Sequence, residues 1–327
     1  MSTIRMAVVG VGHMGRFHTE KIRALEAEDG GVELTAIVDT DPARAAELGD
    51  SLGVPVRTEL GPALARVDAL VVAVPTVAHA AVVAEALEAG VDVLVEKPIA
   101  ATLEEAEKLL STARERGRVV QVGHLEWFNA AMESVRERVT RPRFVEAHRM
   151  GPFPARATDV DVVRDLMIHD IDIIQRLIGE EPERVDAIGV PVITDKVDIA
   201  NARLTFPCGS VANVTASRVS PTPMRKIRFF QPDGYFSIDF GEQSVVIAQR
   251  GAPDEKGERP VHIDQLEIDR GDALLAQLRS FLHSVRERKV VEGAGVHGLA
   301  ALRTAFRVIE AMPSFDDELA AAENGEA

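Results

Sequence analysis

Cysteine is almost absent: Cys208 is the single one in 327 residues. No intrachain disulfide and no cysteine metal cluster can form within the chain, and a reducing compartment is expected. Lysine is scarce as well. Only seven of the 37 basic residues are lysines, so a lysine inside a motif carries more information than usual. Basic charge as a whole is in deficit, 37 against 52 acidic residues, for a formal net charge of −15. A general nucleic-acid binder, which needs a basic face to displace counterions, is therefore excluded. A small anion held by a few local arginines is not. No apolar run approaches the roughly 18 residues that span a bilayer. The start, Met1 to Gly10, builds no signal-type apolar stretch, so a soluble cytoplasmic protein without a membrane partner is expected. Internal repeats and low-complexity linkers are missing too.

What is present reads as two domains, with a core large enough to fold without staples. Residues 1–123 alternate apolar, β-branched runs with helical stretches. The runs are Ile4–Val9, Leu34–Val38, Ala69–Val74, Val91–Val95 and Val119–Val122. The helical stretches include Ala78–Ala89, ending at Gly90, and Leu103–Arg116, ending at Gly117. That alternation predicts an α/β domain, an open doubly wound parallel sheet of the Rossmann type. After a boundary near Gly123, residues 124–315 read as an α+β domain. It has a helix over Asp161–Ile178 and a mostly antiparallel meander including Arg203–Phe206, Val211–Ser217, Arg225–Phe230, Tyr235–Phe240 and Ser244–Gln249. Helices follow near Ala273–Glu287 and Leu299–Ala311, and residues 316–327 read as a frayed acidic tail.

Gly10-Val-Gly12-His13-Met14-Gly15 stands directly between a predicted strand and a predicted helix, the context that gives a GxGxxG spacing its meaning. Gly10 allows the tight turn and Gly12 lets a pyrophosphate approach the backbone. Gly15 lets helix and strand pack closely, and the helix start offers free N–H groups. Asp39, at the end of the second strand, is placed to accept the ribose hydroxyls and to repel a 2′-phosphate. NAD is expected rather than NADP, with Arg44 as the residue that argues the other way. Asp41, before Pro42, reads as a helix cap.

Glu96-Lys97-Pro98 follows the Val91–Val95 strand, at the strand ends where open α/β sheets collect ligands. Lys97 there can polarise a carbonyl or steady a developing alkoxide, or it can be a surface lysine paired with Glu96. Pro98 is a candidate for a cis bond. In the second domain, Asp165 and His169 share a helix face at i and i+4, with Asp172 near the same stripe. A carboxylate beside an imidazole prepares it for proton transfer. The alternative is a solvated ion pair, and the apolar residues surrounding the stripe argue against it.

Taken in this order, the GxGxxG start, Glu96-Lys97-Pro98 and the Asp165–His169 helix resemble the Gfo/Idh/MocA oxidoreductase family, as do Pro75-Thr76 with His79. The resemblance implies hydride transfer between nicotinamide and a sugar or cyclitol hydroxyl carbon. It implies Lys97 and His169 as the catalytic pair and Asp165 as the supporting carboxylate. Gly10, Gly12, His13, Met14, Gly15, Asp39, Pro75, Thr76, His79, Glu96 and Lys97 would hold the cofactor. No metal is implied, and a homodimer or homotetramer would form through the C-terminal sheet. Asp161-Val-Val and Met167 replace glycines common in the family, which should reshape the sugar pocket. His124-Leu-Glu-Trp-Phe-Asn129 and the Arg156–Val163 stretch are similar to the branch that oxidises UDP-N-acetylglucosamine at C3 for lipid A, although Trp127 stands where that branch implies arginine. Glu126, Trp127, Arg149, Arg156 and Asp172 are the expected substrate residues, the two arginines as cations for a pyrophosphate. The reaction is expected in the crevice between the domains. An inositol or free-sugar dehydrogenase, an NAD-dependent glycosidase and a non-catalytic NAD-binding regulator are the alternatives.

Overall fold

The apolar runs become a six-stranded parallel sheet in a computed structural model that describes residues 3–29, 31–153, 160–255, 257–289 and 294–313. Its strands are β1 (Ile4–Val9), β2 (Val32–Val38), β3 (Val56–Arg57), β4 (Ala69–Val72), β5 (Asp92–Val95) and β6 (Val120–Val122). They lie in the order β3-β2-β1-β4-β5-β6. This is the doubly wound arrangement, and the reversal between β1 and β4 opens a crevice at the strands' carboxyl ends. The connecting helices are α1 (His13–Asp29), α2 (Pro42–Leu52), α3 (Gly61–Leu64), α4 (Thr76–Glu88) and α5 (Leu103–Glu115). Local chemistry sets their ends. Asp41 caps α2, accepting from the N–H groups of Ala43 and Arg44, with Pro42 at the first position. Thr102 and Glu105 form a capping box at α5.

The second sheet has eight strands. They are β7 (Phe144–Met150), β8 (Arg184–Val190), β9 (Ile199–Thr205), β10 (Val211–Ser217), β11 (Met224–Gln231), β12 (Gly234–Asp239), β13 (Ser244–Arg250) and β14 (Val261–Leu266). Their order is β14-β13-β12-β11-β7-β10-β9-β8, with only the β7–β10 pair parallel. One face is buried through alternating residues such as Val145 and Ala147, or Ala212 and Val214. β7, β8 and β14 were not among the segments singled out from the sequence. The remaining helices are α6 (Ala130–Glu133), α7 (Ile168–Ile178), α8 (Ala273–Glu287) and α9 (Gly295–Glu310). Among the described residues, no helix is long and apolar enough to cross a membrane.

Two differences from the sequence expectation bear on the site. The helix expected over Asp161–Ile178 is a π-turn, Val163–Met167, running into α7. Asp161 caps that turn, accepting from the Arg164 N–H at 2.9 Å. Asp165 therefore sits on a widened turn rather than one α-helical turn before His169. Single π-turns inside helices occur frequently at functional sites.

Chain order also misleads about the units. One compact unit comprises residues up to Phe128 together with Asp272–Leu299, and the other comprises Asn129–Gly271 with the chain from Ala300 on. The boundary expected near Gly123 is thus at Phe128, and α8, expected in the second domain, is built into the first unit. There Leu278, Phe281, Leu282 and Val285 share one apolar cluster with Met6, Val8, Ile22 and Leu25. Each such side chain contributes about 1.5–3 kcal/mol by leaving water.

Candidate active site

The first unit places the dinucleotide motif at the carboxyl end of β1, and each glycine has a separate physical reason. Gly10 has φ of +81°, and a Cβ there would lie 2.7 Å from the Ala73 carbonyl. A Cβ on Gly15 would lie 1.7 Å from the Gly10 oxygen, so only glycine lets α1 pack so close to the turn. Gly12 is the opposite case: nothing lies within 4 Å of the position its Cβ would take. That open side, beside the first N–H groups of α1 at His13 and Met14, suits the approach of a phosphate.

Next to it lies a largely apolar cavity of about 480 Å³ whose lining includes Gly10, Gly12, Asp39, Arg44, Leu60 and Pro75. Asp39 is buried. Its Oδ2 accepts the Val11 N–H at 2.8 Å and its Oδ1 accepts the Asp41 N–H at 2.9 Å. Each carboxylate oxygen retains a second lone pair for a ribose hydroxyl. Arg44 Nη1 stands 3.6 Å from Asp39 Oδ2 and Arg44 also meets Asp41, so its charge is balanced by these two carboxylates. The residues present fit an adenosine diphosphate: open backbone for the phosphates, a carboxylate for the ribose, and an apolar wall.

The other residues expected at the cofactor divide into two sets. Pro75, exposed, and Thr76, half-buried, open α4 at the end of β4 and belong to the crevice side. His79 is buried inside, with its ring nitrogens 2.8 Å from the Pro98 oxygen and 2.9 Å from the Val74 oxygen. It ties the loop after β4 to the loop after β5 rather than reaching toward a ligand. Burial pushes its imidazole pKa down, against the two carbonyls and the Glu96 charge, which favour the protonated ring. Glu96 is also turned inward, its Oε1 2.7 Å from His18 Nε2. Lys97 is half-buried, and the Lys97–Pro98 peptide is cis. Glu126 and Trp127 are half-buried on a short 3-10 turn, Leu125–Phe128.

In the second unit, Asp165 and His169 are half-buried at the π-turn and the start of α7. Asp172 is fully buried and bound to Arg176 at 2.9 Å, which commits its charge to the fold. Arg149 is likewise buried. Its guanidinium grips Asp170 through Nε at 3.0 Å and Nη2 at 2.9 Å, above the Phe240 ring. A fork whose charge is already met by a carboxylate is a poor phosphate ligand, so Arg149 changes from expected anion binder to internal ion pair. Arg156 lies outside the described residues. Among the described residues, no group of three or more histidine, cysteine, aspartate or glutamate side chains is arranged to hold a metal.

His18 was not anticipated. It lies on α1, 78 residues from Glu96 in the chain, so no local spacing marks the pair.

Comparison with known proteins settles the class. Residues 4–124 match the oxidoreductase family with an NAD-binding Rossmann fold, and residues 129–237 match the GFO/IDH/MocA C-terminal domain. The chain belongs to the Gfo/Idh/MocA oxidoreductase family. It is 38% identical to UDP-N-acetylglucosamine 3-dehydrogenase of Acidithiobacillus ferrooxidans over 96% of this chain and 99% of that one. It is 25% identical to inositol 2-dehydrogenase of Rhizobium meliloti over 95% of this chain and 97% of that protein. A solved structure of the Acidithiobacillus enzyme superposes with a TM-score of 0.88, covering 95% of this chain and 98% of that one. Levoglucosan dehydrogenase in complex with NADH, at 18% identity, covers 95% of this chain and 97% of that one with a TM-score of 0.83 and supports the fold. As a Gfo/Idh/MocA member, this chain is an NAD-binding oxidoreductase acting on CH–OH groups.

Proposed function

We propose that this chain is an NAD-dependent dehydrogenase that oxidises a UDP-linked amino sugar, UDP-N-acetylglucosamine, at C3. The observation that carries the reading is the end-to-end match to the Acidithiobacillus enzyme, which spans both units where the inositol enzyme covers a similar length at lower identity. NAD is preferred over NADP because Asp39, a carboxylate that can accept ribose hydroxyls and repel a 2′-phosphate, lines the cavity, and because Arg44 already lies near two carboxylates.

The cofactor, when bound, supplies the acceptor for the hydride on the oxidised carbon. Gly12 and the α1 start would hold its phosphates, and Asp39 would hold its ribose. The imidazole of His169 takes the hydroxyl proton, and Asp165 steadies the imidazolium. Lys97 donates a hydrogen bond from Nζ to the reacting oxygen. Histidine is assigned as base on magnitude: its reference pKa of about 6.5 lies close to neutrality, whereas that of lysine, about 10.4, does not. The second unit's sheet carries a row of mutually tilted rings, Phe144, Phe230 and Tyr235, with centroids 5.5 and 5.0 Å apart, and we assign a homo-oligomer contact to that face. A cytoplasmic site and supply of amino sugar for lipid A follow from the same reading.

The test is a panel of UDP-N-acetylglucosamine, inositols, free sugars and sugar phosphates, each with NAD and NADP, followed by NADH absorbance. Turnover of UDP-N-acetylglucosamine with NAD is expected. Turnover of an inositol alone would replace the substrate assignment. His169→Ala should cut hydride transfer by about 10²- to 10⁴-fold while leaving NAD affinity unchanged.

A further inference from the structure

The dinucleotide turn lies at the carboxyl ends of the parallel strands. At the opposite, amino ends of the same sheet a second cavity opens, about 500 Å³ in volume and within the size range of small-molecule sites. Its lining includes four arginines, Arg5, Arg118, Arg286 and Arg288, and two aspartates, Asp68 and Asp92. All six belong to the first unit. Arg5 is in β1 and Asp92 opens β5, Asp68 and Arg118 stand just before β4 and β6, and Arg286 and Arg288 end α8. A chain with 52 acidic residues against 37 basic ones thus gathers an excess of cations in one concavity.

Partners decide which of those cations remain available. Arg5 grips Asp68 through Nε at 3.0 Å and Nη2 at 2.8 Å, and Arg288 grips Asp92 through Nη1 at 2.5 Å and Nη2 at 3.2 Å. Each fork meets one carboxylate, so these two pairs are neutral. Among the described residues, Arg118 and Arg286 meet only backbone carbonyls. Arg118 donates to the Gly90 oxygen at 2.8 Å and to the Arg116 oxygen at 3.2 Å, and Arg286 donates to the Gly31 oxygen at 2.8 Å. A carbonyl directs a guanidinium without cancelling its full charge. Of the five N–H groups on each, Arg118 uses two and Arg286 one. Arg286 Nε is buried without a partner, and a partly dehydrated guanidinium attracts an anion more strongly than one in bulk water.

The backbone adds a second observation. Arg288 has φ of +54°, a left-handed conformation that few side chains adopt. From it the guanidinium reaches both Asp92 and, at 2.6 Å, the Gly117 oxygen. Strain of this kind persists where the surroundings over-determine it, and ligand clamps are among the places where it gathers.

We propose that this cavity is a second anion site, taking a small phosphorylated or polycarboxylate molecule of at least two negative charges. Arg118 and Arg286 are its ligands, and the Arg5–Asp68 and Arg288–Asp92 pairs are the neutral walls that hold it open. Two uncancelled guanidinium charges match a dianion, and their planar forks accept phosphate or carboxylate oxygens in pairs. The site goes beyond the dehydrogenase reading and does not depend on it. It is separated from the dinucleotide turn by the length of β1, so both can be filled together.

The test is calorimetric titration of the NAD-saturated protein, so that the dinucleotide turn is already filled. Pyrophosphate is used in one arm and citrate in the other, at constant ionic strength. One site per chain is expected, with affinity that falls as salt is raised. Binding of pyrophosphate alone would assign a phosphorylated ligand, and of citrate alone a polycarboxylate. Arg118→Gln and Arg286→Gln should each weaken binding about tenfold, the scale of one lost charged hydrogen bond. Asp68→Asn frees Arg5 and should tighten binding, which a loosened fold could not do. Absence of binding in both arms would overturn the proposal, as would an affinity unchanged in both arginine variants.

Discussion

The two units spend their arginines differently. In the first, polar groups at the strand ends are arranged around vacant backbone: Gly12 faces open space, and Asp39 spends one lone pair per oxygen on N–H groups and keeps the other. In the second, arginines are buried with their own carboxylates. Arg149 grips Asp170, Arg176 meets Asp172, and Arg218 meets Asp198. A buried pair costs desolvation that its attraction roughly returns, so these pairs fix geometry more than they add stability. The first unit thus keeps capacity for a ligand, while the second spends its capacity on shape. Counting arginines in an acidic chain does not locate an anion site, because partners inside the fold decide which charges remain available.

The contrast can be broken most severely at Gly15. Gly15→Ala forces a Cβ into the Gly10 carbonyl, and we expect a loss of about 4 kcal/mol or more, or failure to fold, read by thermal melting. Removing one partner of a buried pair in the second unit should come next. Arg218→Met strands Asp198, which also accepts the N–H groups of Val192, Ile193 and Thr194, and should cost about 3–5 kcal/mol in denaturant melts. NAD affinity should not move in that variant. A fall in NAD affinity matching the loss of stability would erase the distinction between the units.

Gly12→Ala is the complementary case. With nothing within 4 Å it should melt like the parent, yet bind NAD about tenfold more weakly, near 1.4 kcal/mol, in a fluorescence titration. Asp39→Ser should narrow the preference for NAD over NADP, since it removes one of the two carboxylates balancing Arg44.

The smallest effect is expected from acid. Burial alone would raise the Asp198 carboxyl, but the Thr194 and Ile193 N–H groups and Arg218 hold it far below its ordinary value. A carboxyl depressed in the folded state contributes stability that is fully present above its unfolded value, near pH 3.9, and is lost as the pH falls below it. Glu96 has the same sign in the first unit. Melting temperature should therefore be insensitive to either group near neutrality and fall below about pH 4. Asp198→Asn should flatten that fall.

Much of the first unit was legible in the sequence because its signals are local. Glycine spacing, apolar runs and a capping aspartate each act within a few residues of where they are read. β3 escaped because a two-residue strand has no period. β7 escaped because Phe144-Val-Glu-Ala-His-Arg149-Met alternates its burial correctly but carries a charged residue, Arg149, on the inward face. Its hydrophobic signal is cancelled by a partner, Asp170, that lies far along the chain. The π-turn at Val163–Met167 was read as ordinary helix because one additional residue in a turn hardly disturbs an apolar pattern. The candidate site divided in the same way. The positions of Gly10, Gly12, Gly15 and Asp39 at the strand ends were readable, whereas the inward turn of Glu96 toward His18 is a contact that no spacing encodes.

The return of α8 to the first unit has a consequence for how the chain is made. The cluster around Ile22 and Leu25 is finished by Leu278, Phe281 and Leu282, which a ribosome adds long after the parallel sheet has emerged. Throughout synthesis of the entire second sheet, the nascent first unit must carry an uncovered greasy flank. A fragment cut after Phe128 would carry it permanently, so this nucleotide-binding module cannot be transplanted by severing the chain at a single point.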